Sequence, residues 1–499
     1  MIVNNSLFPA KFSYRAISDM RNELDKLNQQ LATGERAQTL SELGADRVVD
    51  MTLRARTSAL ETYQHNLDNV DIRLNYLDDV ISRIDQIENE TRSSAQQGSF
   101  EINGVNMTAA QYLAENRMKE VIDLLNSDLN GRHLLAGNAT EEDPVASFDE
   151  LMNGADGKDG FRTIVSQRNE ADLGASGLGR LTNGVAGTTV TIAEDGTHPF
   201  GFKLDSLSSD GSSTTLTGPA GAPPSATIEF TSQPADNERI MIGLDLPDGT
   251  TFTLELKAVA GTPQSPDEFQ IGGSIADTAA NMQASLNERL GHFAQTKLTA
   301  ASSYAAADSF FNSNGEASMR VDGPPYDSAT ALVAATDADT VIWYKGESST
   351  NPRLTSQARV DESTRVNYGV QANESGFAEL MRSLAVFAAD GYSPSDPKAS
   401  ERYEAMNGVV RERLAETNNG VAGSIEVVQM ELGLAKTSAS RISERHGQQK
   451  AALETMLADI EGISMEEVAM QILQLKTRME ASYQTASIVN RLSMVNYMS

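Results

Sequence analysis

The chain has 499 residues, no cysteine, a formal net charge of −29 and a pI near 4.5. Such acidity argues against nucleic acid and anionic membrane surfaces as main partners, because both are negatively charged. The lack of cysteine excludes disulfides, thiol catalysis and Cys-ligated zinc.

No apolar run reaches the roughly 18–20 residues of a membrane span, so no membrane insertion is expected. The opening stretch, MIVNNSLFPAKFSYR, lacks a basic segment followed by an apolar one. A chain of this kind is expected to stay inside or to leave without a cleaved signal peptide. Proline is absent from Ala10 to Asp143 and again from Lys398 to Ser499. Proline breaks helix interiors, so both arms are expected to be helical and the middle is not.

Residues 10–32 predict a first helix, with Ile17, Met20, Leu24, Leu27 and Leu31 on heptad steps and Gly34 as its stop. A loop follows to Asp46, with Gly44 as a second break. The most regular stretch runs from Leu53 to Ile84. Leu53, Leu60, Leu67, Leu74 and Ile81 form one series of sevens, and Tyr63, Val70, Leu77 and Ile84 a second, offset by three. At about 1.5 Å per residue this helix would be about 45–50 Å long. A turn is expected at Gln97–Gly104, then a helix over about 107–129 carrying Met118, Val121, Leu125 and Leu129, stopped by Asn130-Gly131.

The middle predicts strands at Thr188–Ile192, Ala226–Phe230, Arg239–Leu246, Thr251–Val259 and Val341–Tyr344, and one helix, Ile275–Leu290. Pro247-Asp248-Gly249 is a hairpin turn. Helices then resume around Phe377–Phe387 and Tyr403–Leu414. Ile425 to Ile463 repeats the heptad through Ile425, Val428, Leu432, Ala435, Ala439, Ile442, Leu453, Met456, Ile460 and Ile463, with His446 and Gln449 at two weak positions. The last helix, about 465–497, carries Val468, Ile472, Leu475, Met479, Ala486 and Val489.

Two heptad seams more than 300 residues apart are most simply buried against each other. The expected fold is mainly α: a long antiparallel, coiled-coil-like helical rod built from the N- and C-terminal segments, with an inserted β-rich variable central domain. The expected domains are 1–46 plus 465–499, a terminal coiled coil; 47–145 plus 355–464, the rod; and 146–354, the β-rich insert. The rod core is expected to hold Leu53, Leu60, Leu67, Leu74, Ile81, Ile425, Val428, Leu432, Ile442, Leu453 and Met456. The terminal helices have the narrowest stripes and no third partner within the chain. Ordering by other subunits is therefore expected, with Ile17, Leu24, Leu27, Leu31, Val468, Ile472, Leu475 and Met479 at the subunit interface.

Catalytic chemistry is hard to place. The five histidines, His65, His133, His198, His292 and His446, never fall at the spacing that puts two metal ligands on one helix face. His65 and His446 read as exposed polar positions, and His198 and His292 as loop or helix-end residues. Gly174–Gly179 lacks the Lys-Ser/Thr of a phosphate loop, and Ser176 is followed directly by Gly177, which breaks the nucleophile-elbow pattern. No catalytic residue, metal or cofactor is expected.

Three short motifs add a resemblance. Leu31-Ala32-Thr33-Gly34-Glu35-Arg36 resembles the segment that ends the first helix in bacterial flagellins. Asn130-Gly131-Arg132-His133-Leu134-Leu135-Ala136-Gly137 is similar to a segment of the hook-associated protein 3 branch of that family. So is the ending, Tyr483-Gln484-Thr485-Ala486-Ser487 and Arg491-Leu492-Ser493-Met494-Val495-Asn496-Tyr497-Met498. The likeness covers about 1–145 and 355–499. Thr39–Asp46 departs from the family's usual loop.

The resemblance implies an extracellular, non-enzymatic part of the bacterial flagellum, exported by the flagellar type III apparatus. It implies a homo-oligomeric ring joining hook to filament. The implied partners are the first hook-associated junction protein, flagellin and a flagellar export chaperone. The alternative is a filament-forming flagellin, and a further one is a flagellar surface protein whose central domain binds ligand or cleaves protein.

Overall fold

The computed structural model describes residues 8–97, 102–103, 107–313, 315–392 and 395–495. The N-terminal arm holds α1 (Phe8–Thr33), α2 (Arg47–Gln97), β1 (Ile102–Asn103), β2 (Met107–Thr108), α3 (Ala109–Leu125), β3 (Asp128–Leu129) and β4 (Arg132–His133). The middle holds α4 (Phe148–Asn153), α5 (Phe161–Leu173), β5 (Leu181–Ala186), β6 (Thr189–Glu194), β7 (Lys203–Ser209), β8 (Thr214–Ala220), β9 (Ser225–Phe230), β10 (Arg239–Asp245), β11 (Thr251–Val259) and β12 (Glu268–Gln270). It continues with α6 (Ile275–Phe293), α7 (Thr299–Phe310), β13 (Met319–Val321), β14 (Leu332–Ala334), β15 (Gln357–Arg359) and β16 (Arg365–Asn367). The return arm is α8 (Ser375–Ala389), α9 (Ala399–Arg413), α10 (Ile425–Glu461) and α11 (Met465–Val495). The fold is therefore mainly α, with long helices at both ends and a β-rich centre of several sheets.

Contacts divide the chain into two units: Met1–Val70, Ala358–Arg365 and Thr437–Ser499 form one, and Asp71–Gln357 with Val366–Lys436 the other. In the first unit α1 packs along α11, and the start of α2 runs antiparallel to the end of α10. Arg54 reaches Glu461 at 2.5 Å, Glu61 meets Lys450 at 2.9 Å, and the Tyr63 and His446 rings lie 6.0 Å apart. Leu53, Leu60, Leu67 and Ile442 are buried in this stretch. Beyond His446 the buried face of α10 advances by four residues to Lys450 rather than by three to Gln449. It then follows Leu453 and Leu457, all half-buried. A helix with 3.6 residues per turn drifts against a strict seven-residue repeat, and two successive four-residue steps absorb the drift. Met456, expected in the core, consequently sits on the outer face at 53% exposure.

In the second unit the same two helices stay paired. Lys436 meets Asp78 at 3.8 Å, and Gln429 donates to the Ser82 hydroxyl at 2.9 Å. Leu74, Ile81, Ile425, Val428 and Leu432 are all buried. α3 joins α2 through a paired Arg83–Glu120 contact at 2.6 and 3.0 Å, and its Met118, Val121 and Leu125 are fully buried. The expected third helix ends earlier than its apolar pattern suggested. Asn130 and Gly131 take φ of 57° and 74° and form the turn of the β3–β4 hairpin, so Leu129 is a strand residue. Two successive residues at positive φ are what a two-residue hairpin turn requires.

The central core is shared by two four-stranded sheets, ordered β12-β11-β10-β7 and β5-β6-β9-β8, with α6 packed on it. Val190, Ile192, Ile228 and Phe230 face Ile240, Ile242, Leu254 and Leu256 within one cluster, and α6 adds Met282, Leu286 and Leu290. Val341–Tyr344 is not a strand. It carries a single bridge, Val145 to Tyr344, and another, Asp159 to Thr340, falls just before it, so no ladder forms. The Gln97–Gly104 turn lies largely outside the described residues.

Candidate assembly interface

α1 has no proline after Pro9, and its apolar residues return every three or four positions. Gly34 ends it at φ +73°, its amide returning to the Gln30 carbonyl at 2.8 Å. Leu27, Val468, Leu475 and Met479 form a buried cluster with Met20, Leu24, Ile463 and Ile472 around it. Ile17 is also buried. Seven of the eight residues expected at a subunit interface (Ile17, Leu24, Leu27, Val468, Ile472, Leu475 and Met479) are thus buried or half-buried in the pair of helices within one chain. The reason is energetic. The strongest apolar stripe of each helix finds its nearest partner first, and each fully buried Leu or Val contributes about 1.5–3 kcal/mol. The eighth residue, Leu31, is 36% exposed.

A second stripe remains outside. Met470, Leu473, Thr477, Ala481, Gln484 and Ile488 follow each other on α11 by three or four residues, on the face turned about 180° from the seam, and all are exposed. Met470 is 65% exposed, Leu473 66% and Ile488 58%. Met470, Leu473, Thr477 and Ala481 line one shallow groove on the helix. On α1, Phe12 and Tyr14 are exposed as well. A helix apolar on two opposite faces is built for more than one neighbour. Sequence reading passed over this stripe because Thr477 and Gln484 dilute it. In the second unit, Ile72 and Tyr76 on α2 and Met430 and Leu434 on α10 form further exposed pairs one turn apart.

The terminal helix pair is tied to the longer one by a small backbone crossing. The Arg36 amide donates to the Glu461 carbonyl at 2.6 Å, and the Ile463 amide to the Gly34 carbonyl at 3.2 Å. Arg54 joins the fully buried Asp50 at 3.2 Å and Glu461 at 2.5 Å. The Leu31–Arg36 motif therefore supplies a helix stop and one side of this crossing. The Asn130–Gly137 motif is the hairpin followed by a fully buried Leu135-Ala136, against which the return chain docks: Ala372 donates to the Leu135 carbonyl at 2.8 Å. The terminal motif lies on α11 as far as Val495, and 496–498 fall outside the described residues.

The titratable groups point to packing. His65 is exposed, whereas His446 is fully buried, contrary to its expected surface position. His198 is buried and held between Asp195 at 2.6 Å and Arg180 at 3.0 Å. His292 pairs with Glu401 at 2.8 Å. Among the described residues, Asp85, Glu88 and Glu426 bring three carboxylates within 4.8 Å of one another. Burial, and then repulsion from Glu426 and Asp85, push the Glu88 carboxyl up to about 7, against the pull of Arg92.

This shift carries a pH prediction. Below about pH 4.5 the carboxyl is protonated folded and unfolded alike. Between about 4.5 and 7 the folded state keeps a proton that the unfolded chain has lost, so stability falls as pH rises, by up to about 3 kcal/mol. Glu88→Gln is expected to raise stability by about 1–3 kcal/mol at pH 8 and to change it little at pH 4.5. Urea unfolding at the two pH values measures the difference.

Residues 5–140 match the family model described as the bacterial flagellin N-terminal helical region. No curated protein matches the chain. The matched segment spans α1, α2, α3 and the β3–β4 hairpin, the elements that carry one side of both helix pairings.

Proposed function

We propose that the chain is a structural, non-catalytic subunit of the bacterial flagellum, and within it the adaptor ring between hook and filament. The observation that carries the assembly part is the second apolar stripe of α11, Met470, Leu473, Ala481 and Ile488, left open beside a seam that is already filled. The match to the flagellin N-terminal region supports the flagellar setting. In this reading, 1–46 plus 465–499 form the inner, channel-lining part. Residues 47–145 plus 355–464 are the rod that packs against neighbouring subunits, and 146–354 face outward.

The partners are further copies of the chain, the first hook-associated junction protein, flagellin and an export chaperone that holds α11 before assembly. The junction role rests on the Asn130–Gly137 and Tyr483–Ser487 motifs. The competing reading, a filament flagellin, is favoured by the matched segment being described for flagellins at large. Immunogold labelling of isolated flagella separates them. A single band of label where hook meets filament is the expected result, and label along the whole filament would establish the flagellin reading.

A further inference from the structure

His446 is the fully buried histidine at the centre of the seam between α2 and α10, and neither ring nitrogen has a hydrogen-bond partner. A polar residue at one core position of a helical seam lowers its stability, so the position calls for a reason. Segment 358–365 covers it. The flanking chain groups with the second unit, while this segment groups with the first.

Its contacts there are specific. Val360 is fully buried. Asn66 on α2 donates its amide to the Arg359 carbonyl at 2.9 Å, and the Arg359 guanidinium lies 6.0 Å from the Tyr63 ring centre. Asp361 binds Arg445 at 2.6 Å, and its other contact is His446 Nε2 at 3.5 Å. The turn is closed by the Val360 and Asp361 amides donating to the Thr364 carbonyl, and Arg359 donates to the Asp361 and Glu362 carbonyls.

We propose that His446 is a proton-operated latch for this segment: protonated, it binds Asp361 and keeps Val360 seated on the α2–α10 seam; neutral, it lets the segment lift. A distance of 3.5 Å is long for a neutral hydrogen bond and within reach of an ion pair. Histidine is the side chain that ordinarily changes charge between pH 5 and 8. Asp361 is held below the usual carboxylate range, first by the Glu362 amide against the effect of burial, then by His446 and Arg445, and so is ionised throughout that interval. The charged groups at the crossing are Arg445 and Lys450 on α10, Glu61 on α2 (engaged by Lys450), and Arg359, Asp361 and Glu362 on the segment. Among the described residues, Asp361 is the carboxylate within ion-pair distance of the ring. Arg445 holds Asp361 at either pH, so the latch is graded and deprotonation loosens one of two ties.

Hydrogen–deuterium exchange of residues 357–366 in the full chain, corrected for intrinsic rates, tests the latch. Between pH 5.5 and pH 8 protection in the wild type is expected to fall by about tenfold. His446→Gln keeps a neutral polar side chain and is expected to show the lower protection at both pH values. Asp361→Asn removes the anion and is expected to erase the pH dependence, which also decides the matter if His446→Gln fails to fold. Equal protection of the wild type at both pH values would overturn the proposal, as would a wild-type pH response in either variant.

Discussion

Leu475→Asp is expected to separate α1 from α11 while leaving the rest of the chain folded. Leu475 is 6% exposed and sits between Ile472 and Met479 in a cluster drawn from α1, α11 and Ile463 just before α11. A carboxylate there has no cation to pair with in that cluster, and an uncompensated buried charge costs about 3–5 kcal/mol. The pair has little to spend against this loss. Four side chains of the cluster are buried, and four more are partly so. Long helices without a packed face are marginal in water. The expected readout is a drop in helical circular dichroism corresponding to α1 and α11, with the central region still resistant to protease. An unchanged spectrum would mean that the seam is not what holds these helices.

The second large effect concerns assembly alone. Met470→Asp with Leu473→Asp places two charges on exposed positions, so the isolated chain is expected to keep its stability within about 0.5 kcal/mol. If the outer stripe is where another subunit docks, the same pair of changes must bury two unpaired charges in the assembled state and block it. Sedimentation of purified chain under polymerising conditions reads the loss, and thermal unfolding reads the retained fold. One change on the filled seam and two on the open stripe therefore give different signatures: Leu475→Asp affects fold and assembly together, Met470→Asp with Leu473→Asp affects assembly only.

The long helices were legible because a single repeat states them. Leu53 to Ile84 keeps both apolar series without a break, and every residue of the first series is buried. Four of the five expected strands are present for a similar reason, since Val190, Ile228 and Leu254 alternate with more exposed neighbours, and the buried Ile240 and Ile242 flank a half-buried Met241. What escaped has a common cause in context. β5 and β8 are sheet edges with glycine or proline inside them, so they lack an apolar rhythm and take their conformation from β6 and β9. α5 buries Arg168 and Asp172 as an ion pair at 2.6 Å, which no hydropathy pattern anticipates. His446 looked like a surface residue because its neighbour Asp361 comes from a segment 85 positions earlier in the chain.

The candidate interface was legible only in part. Periodicity identified the terminal helices and their strongest stripes, but it cannot say whether a stripe is filled by the same chain or by another. Val468 and Met470 are two positions apart and face opposite ways, one fully buried and one 65% exposed. Pairing decides between them, and pairing is a property of the folded arrangement.

In the proposed role the flagellum needs this chain for its filament to be held on the hook. Deleting it in its host, with cells scored by electron microscopy and the medium assayed for flagellin, measures that directly. Hooks lacking filaments, with unpolymerised flagellin in the medium and restoration by the wild-type chain, is the result expected. Intact filaments on cells without the chain would contradict it.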